Sequence, residues 1–246
     1  MNTCRRKPET HQDRPLHCLL ISVLLALQVI LFSSAFAQYE FVSQFGENGE
    51  GVGQFRTLAE ISVDSEGNLL IADKDNNRVQ ICSYTGECAV LGGFTPPLLQ
   101  NAYGVAEDQR GRIVVTESST QSYQVQICER DVVSFCDITF GGPGSMVGQF
   151  SSPRGLVIDS QDRIIVVDRL NSRIQICNSE GSCSAFGSNG NAVGEFAGHS
   201  GVAVDSDDNI IVADEYDIPS IDQQGSVPIQ RVATDNIVLC EALSGE

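Results

Sequence analysis

Four times along the chain a short apolar run ends in an acid: Leu69–Asp73, Ile113–Glu117, Ile164–Asp168 and Ile210–Asp214. Asp73 and Asp168 stand 95 residues apart, and Asp168 and Asp214 stand 46 apart, so one unit repeats every forty-odd residues. Other phrases keep the same register. Gly-Gln-Phe or Gly-Glu-Phe opens at Gly53, Gly148 and Gly194, and Gln-Ile-Cys opens at Gln80, Gln126 and Gln175. A period of this size, carrying four short strand signals, belongs to repeat architectures in which each unit buries its faces only against its neighbours.

The stretch Pro153–Gly187 shows the unit most clearly. Gly155–Ile158 is apolar, and Asp159–Asp162 reads as a turn. Arg163–Asp168 is rich in β-branched residues, and Arg169–Ser172 is a polar loop. Arg173–Asn178 alternates polar and apolar, as a strand with one buried face does. Ser179–Gly181 turns the chain, and Ser182–Phe186 returns. The expectation is an antiparallel meander of four strands.

The phrases GQFSSPRGLVIDSQDRIIVVDRLNSRIQIC and GQFRTLAEISVDSEGNLLIADKDNNRVQIC resemble NHL repeats. The resemblance extends over residues 39–240. It implies an all-β fold, a β-propeller of NHL-type four-stranded antiparallel blades, with about four blades encoded. The units run over 46–93, 94–141, 142–187 and 188–246. Tyr39–Phe45 resembles the last strand of a unit and reads as a closing strand. The fourth unit departs after Asp214: Glu215–Asp235 replaces a four-residue loop, and Ile237–Cys240 takes the place of the third strand. A closed four-blade ring and a partial ring both remain open. Family rings more often have six blades. The motif residues build blades and say little about function.

Residues 1–37 read as a secretory signal, with a basic start, an apolar run over Leu19–Phe32 and an Ala35-Phe36-Ala37 site. An uncleaved anchor is the competing reading. Residues 38–246 are then the propeller domain, secreted, periplasmic or extracellular, with no stable membrane insertion after cleavage. The formal charge is −17. The first 37 residues hold Arg5, Arg6, Lys7 and Arg14 against Glu9 and Asp13, so without them the charge is −19. That balance argues against nucleic acid, whose phosphates need a basic surface.

Nine cysteines are present, and six form local pairs about a turn: Cys82 with Cys88, Cys128 with Cys136, and Cys177 with Cys183. Opposed on antiparallel strands, each pair lies within disulfide reach, and export permits oxidation. One bridge per blade is expected, with zinc and free buried thiols as rivals. Cys240 has no evident mate. Asp73 with Arg78, and Asp168 with Arg173, bracket the loops between second and third strands and read as structural clamps. Glu117 and Gln124 replace that pair in the second unit. The turn acids near Asp64, Asp162 and Asp208 resemble a calcium ladder, but the stronger reading is that they cap turns.

No nucleophile elbow, HExxH, phosphate loop or Cys–His dyad is present. The amidating lyases that share this repeat use a histidine-bound zinc, and His199 is the only histidine after residue 37. Catalytic and metal residues are therefore expected to be absent, with calcium the one cofactor left open. The leading expectation is a binding or scaffold module for a protein or small-molecule ligand. Its recognition face would carry Lys74–Asn77, Ser118–Tyr123, Arg169–Ser172 and Glu215–Pro228. Tyr123, Tyr216, Asp217 and Asp222 are the candidate contacts. The alternative is a calcium-assisted lactonase- or esterase-like hydrolase using Glu60, Glu107 and loop acids.

Overall fold

Each β-branched run pairs with the next through a turn short enough to leave only the antiparallel meander. A computed structural model describes residues 41–92, 99–130, 136–190, 192–198, 201–214, 229–232 and 241–242. The chain divides into Met1–Gln44 and Phe45–Glu246. Of the first unit only 41–44 are described, exposed and in no strand. The signal reading of 1–37 lies outside the described residues.

The second unit holds four four-stranded antiparallel sheets. The first blade is Leu58–Val63, Leu69–Asp73, Arg78–Cys82 and Cys88–Gly92, and the second is Ala102–Glu107, Ile113–Glu117, Gln124–Cys128 and Ile138–Gly141. The third is Pro153–Ile158, Ile164–Asp168, Arg173–Cys177 and Cys183–Phe186. The fourth is Gly201–Val204, Ile210–Ala213, Ile229–Val232 and Glu241–Ala242. Strand order follows chain order in every sheet.

One expectation is corrected. The third strand of the last blade is Ile229–Val232, paired with Ile210–Ala213, and not Ile237–Cys240. The loop insertion is correspondingly shorter, and 233–240, with Cys240, lie outside the described residues. Of the proposed closing strand, Tyr39 and Glu40 lie outside the described residues, and Phe41–Phe45 is in no strand, with Phe45 packed against Phe55. The fourth position of the last sheet is held instead by Glu241–Ala242.

First strands of neighbouring blades pack on one another, in the order one, two, three, four. They line the axis, and no closed ring forms among the described residues. Each junction has its own core. Leu70, Ala72 and Val79 meet Val105, Ile113 and Val115. Val114, Val125 and Ile127 meet Leu156, Ile164, Val166 and Phe150. Ile165, Val167 and Ile174 meet Ile210, Val212 and Phe196. With no tryptophan, aliphatic side chains and the phenylalanines Phe55, Phe150 and Phe196 supply the burial.

The turns between first and second strands cap themselves. One oxygen of Asp64 accepts the Glu66 and Asn68 N–H groups. Asp108, Asp159 and Asp205 repeat this at their own turns. Gly67, Gly111, Asp162 and Asp208 all take positive φ at the equivalent position, where Asp is among the few non-glycine residues tolerated.

Disulfides join Cys82 to Cys88, Cys128 to Cys136 and Cys177 to Cys183. Cys82 and Cys88 are directly opposed across strands three and four, as are Cys177 and Cys183. Cys82, Cys128 and Cys177 are buried in the blade cores. Replacing Cys177 and Cys183 together by alanine is expected to lower stability by about 2–3 kcal/mol, the chain-entropy value for so short a loop. Urea denaturation with and without reductant checks this: reductant should weaken the wild type and leave the third-blade contribution of the variant unchanged.

Candidate functional site

Strands two and three open at the same end of each blade as the loops that lead into strand one. On that face the sequence Val-Gly-Gln/Glu-Phe recurs before the first, third and fourth blades, at Val52–Phe55, Val147–Phe150 and Val193–Phe196. The phenylalanine is buried in the core in each case, while the valine is turned outward, 55–63% exposed. Between them the glycine has φ of +74°, +85° and +83°. A Cβ at this glycine would strain the backbone, so the valine is presented by a turn that requires glycine.

The turn is fixed from within. Gln54 Oε1 accepts the Gly51 N–H at 2.9 Å, Gln149 Oε1 the Met146 N–H at 3.2 Å, and Glu195 Oε2 the Ala192 N–H at 3.0 Å. It is fixed again from beneath by the clamp residues. Arg78 Nε donates to Asp73 Oδ2 at 2.8 Å, and its two terminal nitrogens donate to the carbonyls of Glu50, Gly51 and Gln54. Arg173 repeats the arrangement: Nε to Asp168 at 2.8 Å, and its terminal nitrogens to the carbonyls of Ser145, Met146 and Gln149. The guanidinium therefore ties a buried acid to three carbonyls of the presenting loop.

The glutamines of the first and third blades' Gln-Ile-Cys phrases complete the lock. Gln80 Oε1 accepts the Gly53 N–H and its amide donates to Gln54 O. Gln175 does the same for Gly148 and Gln149. Asp73 and Asp168 are 0% exposed. Each also accepts the N–H at the start of its own unit's first-strand lead-in, Arg56 at 3.0 Å and Ser151 at 2.7 Å. The clamp expected to join strands two and three thus does so, with Asp73 opposite Arg78 and Asp168 opposite Arg173. Its further reach into the leading loop was not foreseen.

Blade two lacks the arginine. Glu117 is held by Gln124 and Gln126, each at 2.8 Å, and by the Gln100 N–H at 2.7 Å. Burial pushes the Glu117 carboxyl upward in pKa, and these neutral hydrogen bonds pull it back only in part.

Among the described residues two hollows open on this face. One, about 370 Å³, lies among Arg169–Ser172, Asn189, Ala197 and Gly198. The other, about 300 Å³, lies among Glu50, Arg56, Asp75, Asn76 and Arg78. Leu170 stands beside the first, 60% exposed. Of the residues expected as contacts, Tyr123 is half-buried against the second-junction core rather than projecting. Tyr216, Asp217 and Asp222 lie outside the described residues. Glu107 points to the opposite face, where it bonds Arg130 at 2.8 Å and the Ser65 N–H at 2.6 Å. Among the described residues no group of three or more His, Cys, Asp or Glu is placed to hold a metal.

The axis carries one individual feature. The third position of the first strand is Gly104 in blade two and Gly155 in blade three, inside a bulge, and Glu60 in blade one. A Cβ on Gly104 would lie 2.8 Å from Glu60 Oε2 and 2.6 Å from the Arg154 carbonyl. The Glu60 side chain thus lies across Gly104 and accepts the Leu156 N–H at 3.4 Å. Burial, against the backbone hydrogen bonds from Leu156 and Val105, pushes its pKa up from 4.5 to about 7. The Arg154 guanidinium stands 5.1 Å over the Tyr103 ring nearby.

Residues 150–177 match the NHL repeat. Protein brain tumor of Drosophila melanogaster is 29% identical over 149 residues, 56% of this chain and 13% of that protein. The chain therefore spans about an eighth of that relative. Among solved structures, virginiamycin B lyase of Staphylococcus aureus superposes with a TM-score of 0.57 at 16% identity, over 80% of this chain and 58% of that one. The extracellular domain of the Bacteroides thetaiotaomicron protein BT4673 gives 0.55 at 13%, over 82% and 26%. At these identities the likeness is one of fold. The chain thus carries an NHL repeat over residues 150–177 within four four-stranded sheets of propeller-like fold.

Proposed function

We propose that this NHL-repeat propeller is a binding module for a protein partner, engaged through the face that carries the valine turns and the loops between strands two and three. One observation carries the reading. Val52, Val147 and Val193 repeat in sequence and in exposure, each on a turn pinned by its own network. Exposed apolar side chains scattered singly need no explanation. Three in equivalent positions, joined on the same face by Met146 at 71% and Leu170 at 60% exposure, form a preorganised apolar set. Rigid presentation lowers the ordering cost of binding. The shallow polar hollows beside them suit a polar rim better than an enclosed small substrate.

The three disulfides support an extracellular or periplasmic setting. Among the described residues no helix is long and apolar enough to cross a membrane.

The test is binding by wild-type protein and by Val52→Ser, Val147→Ser, Val193→Ser together, against a partner captured from the medium bathing the exporting cells and measured by interferometry. The triple variant should bind at least about tenfold more weakly, a loss of about 1.4 kcal/mol or more. Its Tm should stay within a degree or two, because the valines contribute little burial. Equal binding would overturn the reading. The hydrolase alternative predicts otherwise: a chelator would lower Tm, and an ester or lactone would be turned over.

A further inference from the structure

Every internal junction joins two different faces. The outgoing face of one blade offers alternate residues of its second strand: Leu70 and Ala72, then Val114 and Thr116, then Ile165 and Val167. All six are 0% exposed. The incoming face of the next blade offers the third-from-last residue of its first strand, the other residues of its second strand, and the phenylalanine of its leading turn. In blades two and three the first-strand position is Val105 at 0% and Leu156 at 3% exposure.

The two ends of the array are the two halves of one more such junction. In blade one, Phe55, Ile71 and Cys82 make a small cluster with Leu69, Cys88 and Phe45 packed against it, and among the described residues no preceding four-stranded sheet covers it. Ile61, equivalent to Val105 and Leu156, is 56% exposed, and Leu58 and Val63 on the same strand are 55% and 65% exposed. In blade four, Ile211 and Ala213 stand where Leu70 and Ala72 stand in blade one. Ile211 is half-buried and Ala213 exposed. Among the described residues, one end of the array lacks a donor of the outgoing face and the other end offers it.

We propose that the open incoming face of blade one receives the open outgoing face of blade four from a second copy of this chain, and that two copies joined twice in this way close one ring. The argument is continuity with the three junctions already formed: the same repeat positions carry both faces, so the surfaces correspond by construction. The contact is heterologous, so it must either close or propagate. It is also an apolar one. At the internal junctions a turn N–H of one blade donates to an acid of the next: Ser65 to Glu107, Gln109 to Asp162, Ser160 to Asp208. Blade one has Val63 and Gly67 at the accepting positions, so the new junction lacks that bond and depends on side-chain burial.

Light scattering coupled to size exclusion, at about 100 μM and so well above a micromolar Kd, tests this on the full chain and on two variants. Wild type should run at twice the mass of one chain. Ile61→Asp breaks the incoming face and Ile211→Asp the outgoing one, and each alone should run as a single chain with an unchanged circular dichroism spectrum. Mixed in equal amounts, they should regain a one-to-one pair, because each keeps the face the other lacks. A wild type at single-chain mass overturns the proposal, as does a series of growing masses or a dimer that survives in either variant alone. A variant with an altered spectrum is replaced by Val63→Ser or Ala213→Ser, read in the same way.

Discussion

Replacing Arg78 by alanine is expected to destabilise the protein by about 3–5 kcal/mol, the cost of stripping the partner from a buried ion pair. Asp73 is fully buried, and Arg78 is its only cationic contact at 2.8 Å among the described residues. Its other donors, the Arg56 N–H, Asn76 and Gln80, are neutral groups. The variant also leaves the Glu50, Gly51 and Gln54 carbonyls without the donors that hold them. Since a domain has only about 5–15 kcal/mol in all, a second substitution at Arg173 should leave the chain unfolded at room temperature. Arg78→Lys separates the two roles. An ammonium can neutralise Asp73 but cannot fork to three carbonyls, so it should recover part of the stability while the Val52 turn stays loose to proteolysis. Gln124→Ala in blade two removes one neutral hydrogen bond to Glu117 and should cost about 1 kcal/mol. Urea midpoints of the three single variants check the ranking, and circular dichroism without denaturant checks the double one. An Arg78→Ala loss no larger than that of Gln124→Ala would show that the buried charge has another means of relief.

The repeated phrases made the blade architecture legible because they are the residues that build it. Asp73, Arg78 and Gln80 recur with Gly-Gln-Phe because one network joins all of them, and a motif spread over two loops leaves a trace in each. Two of the cysteine pairs were legible for the same reason: a separation of six about a turn sets Cys82 opposite Cys88 and Cys177 opposite Cys183. The valine of the leading turn was equally visible at positions 52, 147 and 193, but it is an ordinary apolar residue. Only its exposure tells it from the buried phenylalanine three places on. The third strand of the last blade was not legible because Ile229–Val232 does not resemble Arg-Ile-Gln-Ile-Cys. Ile229–Val232 pairs with Ile210–Ala213 through backbone bonds that ask little of side-chain identity. Glu60 carried a signal in its departure from the pattern, a glutamate where two neighbours have glycine. Its position over Gly104 depends on the packing of three first strands, which no single segment encodes.

That glutamate leads to the second large effect. Glu60→Gln is expected to stabilise the protein by about 3 kcal/mol at pH 8 and to change little at pH 4. In the unfolded chain Glu60 ionises near 4.5, and in the folded chain at about 7, raised by burial against the backbone N–H groups of Leu156 and Val105. Below 4.5 both states hold the proton and the group contributes nothing to the pH dependence. Between 4.5 and 7 the unfolded chain releases a proton that the folded chain keeps, so stability falls as pH rises. Above 7 both are ionised, and the full cost of a carboxylate at the axis is present, about 1.4 kcal/mol for each pKa unit. Glutamine retains a carbonyl that can accept the Leu156 N–H and has no proton to lose, so the variant should lack this slope. Taking the difference between variant and wild type at each pH cancels every contribution that the two share. A difference that is flat from pH 4 to pH 8 would mean that Glu60 is solvated at the axis. Gly104→Ala is the companion experiment: a methyl group 2.8 Å from Glu60 Oε2 should drive the carboxylate from its place, destabilise the junction between blades two and three, and flatten the same slope.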